Sequence, residues 1–542
     1  MSQPIFKSQL GLSPSLFPEN IFDKIPENHP VYLVNAVVDS LDISYIMTQY
    51  KGGGASSYHP KMMIKVLFYS YLSNVYSCRK IEKALKENIY FMWLSGMMVP
   101  NFRTINDFRS KRLKNHIHQL FSEVVLLLQE MGYVSLDIQY TDGTKVEAVS
   151  NKYTFVWRGS VEKHQEKLKA KVKTVIHDIE SHIQSDNQDK NKDELPQDID
   201  SEKLRNKLSE INNRLKKSDK ALSKTQEKQL KKLQEDHLPR LEKYENQLET
   251  LGDRNSYSKT DEDATFMRMK EDHMKNGQLK PSYNIQISTE NQFITYFDLF
   301  QKSTDTTLLI PYLQGFKSLY NKQSSVFVAD SGYGSLENYE FLERENITAF
   351  VKYNYFHYEQ KRKIKNNPFL VGNLFYNALE DFYICPLGQR LTNQYQVTQK
   401  SKSGYESKAT VYQAQNCSGC PMRGMCHKAK ENRKITVNHR LNELKQKAKT
   451  LLNSEEGLKH RSNRPIEPEA VFGQMKFNNK FTRFTLKGLE KTKLEFGLMA
   501  IGHNLRKLVA KIAKNTLLTN LESIILHLKS IILTTYKRKL IA

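Results

Sequence analysis

Residues 324–353 read SSVFVADSGYGSLENYEFLERENITAFVKY. The opening run, with Val326, Phe327 and Val328, has no polar alternation, the pattern of a strand covered on both faces. Ser335 stands where an N-cap should open the helix LENYEFLERE, and ITAFVKY supplies a second covered strand. Strand, helix, strand points to an open α/β sheet. Asp330 then falls at the carboxyl end of the first strand, before the SGYGS turn. Open α/β sheets place the groups that meet ligands there. The turn lacks the lysine and the spacing of a phosphate-binding loop.

Working outward, YVSLDIQYTDGTKVEAVS (133–150) has period two. Leu136, Ile138, Tyr140 and Asp142 share one side of an expected strand, and Asp-Gly chemistry predicts a turn at Gly143. PSYNIQISTENQFITYFDLF (281–300) holds two alternating runs joined at Glu290, Asn291 and Gln292, followed by an expected helix over 305–319. Leu204, Leu208, Ile211 and Leu215, then Leu241, Tyr244, Leu248 and Leu251, give a charged segment helical spacing, and Pro239 predicts a break into two helices. Towards the amino terminus, Pro60 opens a helix carrying Met63, Leu67 and Tyr71; another starts near Ser77 with Ile81 and Leu85 on one face. Thr104 followed by Asp107 in PNFRTINDFR resembles an N-cap with an acidic first turn. After residue 438 the pattern is helical, with Leu494, Leu498, Ile501, Leu505 and Leu508 in one stripe.

At 542 residues the chain exceeds one ordinary core. Its 82 Lys and Arg against 59 Asp and Glu give a formal charge of +23, which calls for a polyanionic partner. No apolar run reaches the roughly 18 to 20 residues of a membrane span, and the start, MSQPIFKSQLGLSP, lacks a signal peptide's apolar stretch. A cytoplasmic protein without membrane contact is expected. Five cysteines do not make a disulfide framework.

Four stretches, YTDGTKVEA (140–148), GQLKPSYNIQISTENQFI (277–294), ADSGYGS (329–335) and IEPEAVFGQMKFNNKFTRFTLKGL (466–489), resemble the DDE transposases of bacterial insertion sequences. The resemblance implies an α/β fold with an RNase H-like catalytic core behind a helical amino-terminal domain like that of InsH-type transposases. The expected division is a helical DNA-binding domain over 1–130; a core made of 131–160, 256–360 and 436–515; a charged helical insertion over 161–255; a Cys-containing insertion over 361–435; and a basic helix or tail over 516–542. By motif match, Asp142 and Asp330 would be catalytic aspartates and Glu469 of EAVFGQMK would complete the triad. The implied cofactor is Mg²⁺ or Mn²⁺, two ions per site, held by Asp142, Asp330 and Glu469. Two such cations activate the attacking oxygen and stabilise the leaving one.

Lys476 keeps the family's separation of seven from Glu469, on one helical face, and would contact a phosphate near the scissile bond. Arg461 stands where the family signature has a tyrosine, Arg464 is one residue farther from Glu469 than the usual pattern, and Glu467 competes with Glu469. Lys145, Lys280 and Arg464 are candidate DNA contacts; Tyr153 and Trp157 could stack on an unpaired base or serve ordinary core or surface roles. The implied partner is double-stranded DNA, transposon ends and target, bound by a homodimer in the bacterial cytoplasm, at the nucleoid when engaged. A nuclease that cuts without joining, and a non-enzymatic basic DNA-binding protein, are the alternatives. The first would share the three carboxylates; the second would not need them.

CSGCPMRGMC (417–426) and Cys385 in YICPLG (383–388) offer four thiols, with His427 as a substitute ligand. Tetrahedral zinc needs four such ligands. The spacing leaves open a structural Zn²⁺ site on Cys385, Cys417, Cys420 and Cys426, or four reduced buried thiols. Cys78, alone on its helix, is expected in the core.

Overall fold

The computed structural model describes residues 20–50, 56–184, 199–217, 223–269, 277–401 and 403–514; the expected basic carboxy-terminal segment, 516–542, lies outside the described residues. Strand β1 (Ile138–Glu147) is central to a six-stranded mixed sheet. A short ribbon of β2 (Phe155–Trp157) and β3 (Ser256–Ser258) stands apart, and the main sheet resumes with β4 (Thr265–Arg268), β5 (Leu279–Glu290), β6 (Phe293–Phe300), β7 (Val326–Ala329) and β8 (Thr348–Val351). β5 runs antiparallel to β1 on one side and carries β4 and β6 on the other, whereas β7 and β8 follow β1 in parallel. The β5–β6 turn is where the sequence predicted it: Asn291 and Gln292 both have positive φ, 54° and 64°, as the tight turn that matches strand twist requires.

The expected turn at Gly143 is not there. β1 runs straight through Asp142 and Gly143 to Glu147. Glycine is needed for a different reason: a Cβ on Gly143 would lie 2.3 Å from Gln286 Nε2 on the neighbouring strand. β7 pairs with β1 only over 138–140, so Asp142 sits just past the point where the two strands part.

The two faces of β5 are both buried, although its sequence alternates. Tyr283, Ile285 and Ile287 join a core with the amino-terminal helices, among them Pro60–Leu72 and Ile117–Glu130, and with the long helix Leu489–Lys514. Leu494, Leu498, Ile501, Leu505 and Leu508 are all buried there, as their stripe predicted, and Cys78 joins them. The polar face, Asn284, Gln286 and Ser288, is equally buried and turns towards the site described below. The second core, under β7 and β8, is built by helices Leu309–Tyr320, Leu336–Arg344 and His439–Leu452. Ser335 caps the second of these through Asn338 N. In the amino-terminal helices the cap of Phe102–Asp107 is Asn101 rather than Thr104: the Asn101 side chain accepts from the Thr104 amide.

Between β2 and β3 the chain makes a helical excursion with a small core of its own, in which Leu204, Leu208 and Ile211 meet Val172, Ile176, Leu233 and Leu241. Pro239 does not break it. It sits in the first turn of Leu238–Leu251, directly after a wide turn over Leu233–His237, where a missing N–H removes no established bond. The polar stretch after β8 carries a second sheet: β9 (Phe375–Asn377), β10 (Phe382–Ile384), β11 (Arg390–Lys400), β12 (Glu406–Ala414) and β13 (Lys434–Val437), antiparallel in the order β13-β12-β11-β10-β9. Among the described residues no helix is long and apolar enough to cross a membrane.

Candidate active site

Asp330 follows β7 directly, and its Oδ1 accepts from the Gly332 amide 2.8 Å away, which fixes the carboxylate at the strand end. Asp142 lies on the adjacent strand, almost wholly buried, with Oδ1 accepting from Gly143 N at 2.9 Å. The third element is the helical stretch after Asn463. Pro468 lacks the N–H that an α-turn would send back towards Arg464, and its ring would crowd that carbonyl. The chain widens into a π-turn over Pro465–Glu469, continues as α over Ala470–Gly473 and widens again over Gln474–Asn478. A turn closed by i→i+5 bonds brings residues five apart over one another. The extra residue between Arg464 and Glu469 is thereby absorbed: Arg464 Nη1 meets Glu469 Oε1 at 2.7 Å.

The same guanidinium reaches all three carboxylates. Arg464 Nη2 lies 3.4 Å from Asp142 Oδ1 and 3.6 Å from Asp330 Oδ2. Its side chain is 11% exposed, against 7% for Asp142, 37% for Asp330 and 47% for Glu469, so the cluster opens to solvent on the Asp330 and Glu469 side. Glu467 points elsewhere: its carboxylate accepts from Gln292 N at 2.8 Å on the β5–β6 turn, and burial raises its pKa. Arg461 also leaves the cluster, lying over the Phe356 ring with Nη1 donating to Leu452 O.

Lys476 is buried under β1, where Nζ donates to Thr144 Oγ1 at 2.7 Å and to the Lys145 carbonyl at 3.0 Å. The single α-helical face expected for Glu469 and Lys476 gives way to the π-turns: Glu469 ends on the open side, Lys476 beneath the strand that carries Asp142. Lys280 is not beside the carboxylates but at the far end of β1, paired with Glu147 at 3.1 Å. Tyr153 is exposed under Lys152, and Trp157 packs on Phe155 and Phe266 in the ribbon.

Sequence reasoning missed a floor beneath the aspartates. Asp305, in the loop before helix Leu309–Tyr320, accepts through Oδ1 from Asn284 Nδ2 and Gln286 Nε2, each at 2.8 Å. The Tyr333 hydroxyl donates to Gln286 Oε1. Burial first, then the carboxylates of Asp305, Asp142 and Asp330, holds that hydroxyl's pKa well above its ordinary value. Lys352 was missed as well. The register Ala329↔Val351 sets it beside Asp330, one position past the ends of β7 and β8. Burial, then the charges of Arg464 and Arg461, lowers its pKa, partly offset by Asp330 and Glu469. Applying to β8 the strand-end rule that located Asp330 would have found it; nothing in the sequence singles out Asp305.

Cys385, Cys417, Cys420 and Cys426 line one cavity with His427. Gln389 N donates to Cys385 Sγ, and Arg433 N and Nη1 donate to Cys417 Sγ and Cys426 Sγ at 3.4 and 3.0 Å. Among the described residues both ring nitrogens of His427, which are buried, have no hydrogen-bond partner. Among the described residues, no three His, Cys, Asp or Glu side chains form a ready-made metal-binding group.

Compared with known families, residues 384–509 match the model described as "Transposase DDE domain", and residues 19–111 match "Transposase domain (DUF772)". No match is found among curated proteins or among solved structures. The first match spans the cysteines, Arg464, Glu469 and Lys476; the two aspartates precede it. Both matched domains are transposase domains, and they indicate DNA transposition by an enzyme that cleaves phosphodiesters and transfers strands. Together the two matches support a DDE transposase of the insertion-sequence kind.

Proposed function

We propose that Asp142, Asp330 and Glu469 are the catalytic carboxylates of this transposase, on a core we read as RNase H-like from its order β6-β5-β1-β7-β8. The observation that carries the reading is the convergence of all three on one guanidinium. Carboxylates from three separate elements that already share one cation suit divalent metal, the general cofactor of the family. Asp142, Asp330 and Glu469 would hold Mg²⁺ or Mn²⁺, two ions per site, which supply activation of the attacking oxygen and charge relief at the leaving one. Around them the chain's own residues bind and orient. Lys476 fixes the strand carrying Asp142, while Arg464 and Lys352 present positive charge to a DNA phosphate on the open side. The Asn284–Gln286–Asp305 floor keeps β1 from shifting.

The substrate we propose is double-stranded DNA, the transposon ends and the target, engaged by a homodimer in the bacterial cytoplasm with helices of residues 1–130 as the DNA-reading part. Lys145 stands close to the site on β1, whereas Lys280 would act at a distance from the scissile bond. The segments 161–255 and 361–435 are read as insertions into the core. In the latter we propose structural Zn²⁺ on Cys385, Cys417, Cys420 and Cys426, with His427 in reserve; the unpartnered ring nitrogens and the N–H donors aimed at sulfur support it. About one zinc per chain should then co-purify and be lost with Cys417→Ser plus Cys420→Ser; zinc-free, fully active protein would favour reduced thiols.

Purified protein mixed with Mg²⁺ and the DNA ends flanking its gene should join those ends to target DNA. Asp330→Ala should abolish both cutting and joining, and cleavage that persists in this variant would refute the assignment.

A further inference from the structure

We propose that Arg464 is a built-in counter-ion of the metal-free active site, displaced when divalent metal binds; the proposal rests on the carboxylate assignment above. The guanidinium occupies the point on which Asp142, Asp330 and Glu469 converge, at 3.4, 3.6 and 2.7 Å. Three carboxylates so placed, one of them buried, repel one another unless a cation lies between them. Arg464 supplies that cation from within the chain. It keeps Glu469, the most exposed of the three, turned towards the aspartates before metal arrives.

The closed arrangement is built to be left. Among the described residues Arg464 is held through charge at the tip of its side chain: Nη1 serves Glu469 and Nη2 serves both aspartates, while the buried Nε finds no acceptor there. Two of its contacts, at 3.4 and 3.6 Å, are longer than the 2.7–2.9 Å of a strong charge-assisted bond. The carboxylates it bridges are the same groups that would ligate metal, so guanidinium and metal cannot share them. Binding is therefore an exchange, and the apparent metal affinity falls by the fraction of molecules in the closed form. A closed form holding about nine-tenths of the metal-free protein raises the apparent dissociation constant roughly tenfold. The departing side chain stays at the cluster's rim, where DNA phosphate replaces the carboxylates as its partner.

Mn²⁺ binding to the full chain, read by calorimetry and by loss of the free-ion paramagnetic signal, tests this without any activity readout. Arg464→Gln should bind Mn²⁺ about tenfold more tightly than the parent and melt at a lower temperature in EDTA, with most of that loss recovered by Mn²⁺. Arg464→Lys, which keeps the charge but cannot fork between three carboxylates, should fall between them and guards against a folding defect in the glutamine variant. Unchanged or weaker binding in both variants, while Asp330→Asn abolishes binding in the parent, would overturn the counter-ion role alone. Binding insensitive to Asp330→Asn would instead overturn the carboxylate assignment on which it rests.

Discussion

The pairing of Arg464 with Glu469 shows how far a single residue's reading depends on local geometry. By α-helical spacing the two are one residue out of step, and Glu467 is as good an acid as Glu469. Pro468 changes the turn, the π form brings residues five apart together, and only Glu469 joins the aspartates. Asp330 was legible because a covered strand ends at it. Asp142 was found through its motif but for a local reason that fails, since the glycine beside it serves packing and not a turn. Gly143→Ala tests that reason. The added methyl would lie 2.3 Å from Gln286 Nε2 and 2.9 Å from Asp305 Oδ1, so the variant should lose about 1–3 kcal/mol of stability from overpacking in urea titration, together with DNA cleavage. A variant as stable and active as the parent would show that the floor yields freely.

At the scale of elements, alternation in β5 identified a strand but not its surroundings. Alternation separates Tyr283, Ile285 and Ile287 from Asn284, Gln286 and Ser288, but it does not say that the polar set is buried against Asp305, Tyr333 and Tyr312. A polar side chain buried in a hydrogen-bonded network and one in water look alike in sequence, because hydrogen bonding satisfies both. The same limit hid the β9–β13 sheet, whose long strands β11 and β12 are mostly polar. The junction of the β5–β6 turn with helix Leu489–Lys514 carries its own prediction. His503 is buried there with Nε2 2.9 Å from the Gln292 carbonyl, and burial lowers its pKa from 6.5 to about 4. Below pH about 6.5 the unfolded chain binds a proton that the folded protein refuses until about pH 4, so this group's contribution to stability is complete above pH about 6.5 and is lost as pH drops from 6.5 to 4. Its full size is about 3 kcal/mol by linkage. His503→Gln should flatten the pH dependence of urea stability between pH 4 and 6.5; an unchanged slope would refute the burial argument.

For the whole molecule, one hydrophobic core joins the amino-terminal helices, the antiparallel half of the sheet and helix Leu489–Lys514, so the family-matched ends, 19–111 and 384–509, meet in the core that covers Tyr283, Ile285 and Ile287 of β5. The aspartates come from chain segments between those ends and reach Glu469 only through the fold. That long-range convergence was legible in sequence only as a family resemblance, since no local pattern links residues 142, 330 and 469. The most direct measurement is therefore a comparison of Glu469→Gln with Glu467→Gln in Mg²⁺-dependent cleavage and joining of the element's own ends. If Glu469 is a metal-ligating carboxylate as proposed, its loss should lower the rate by roughly 10³-fold or more, a transition-state cost of about 4 kcal/mol, whereas Glu467→Gln should leave the chemistry within about tenfold of the parent and act mainly on stability. Near-parental activity in Glu469→Gln with loss in Glu467→Gln would contradict the assignment of the third carboxylate and the geometry built on it.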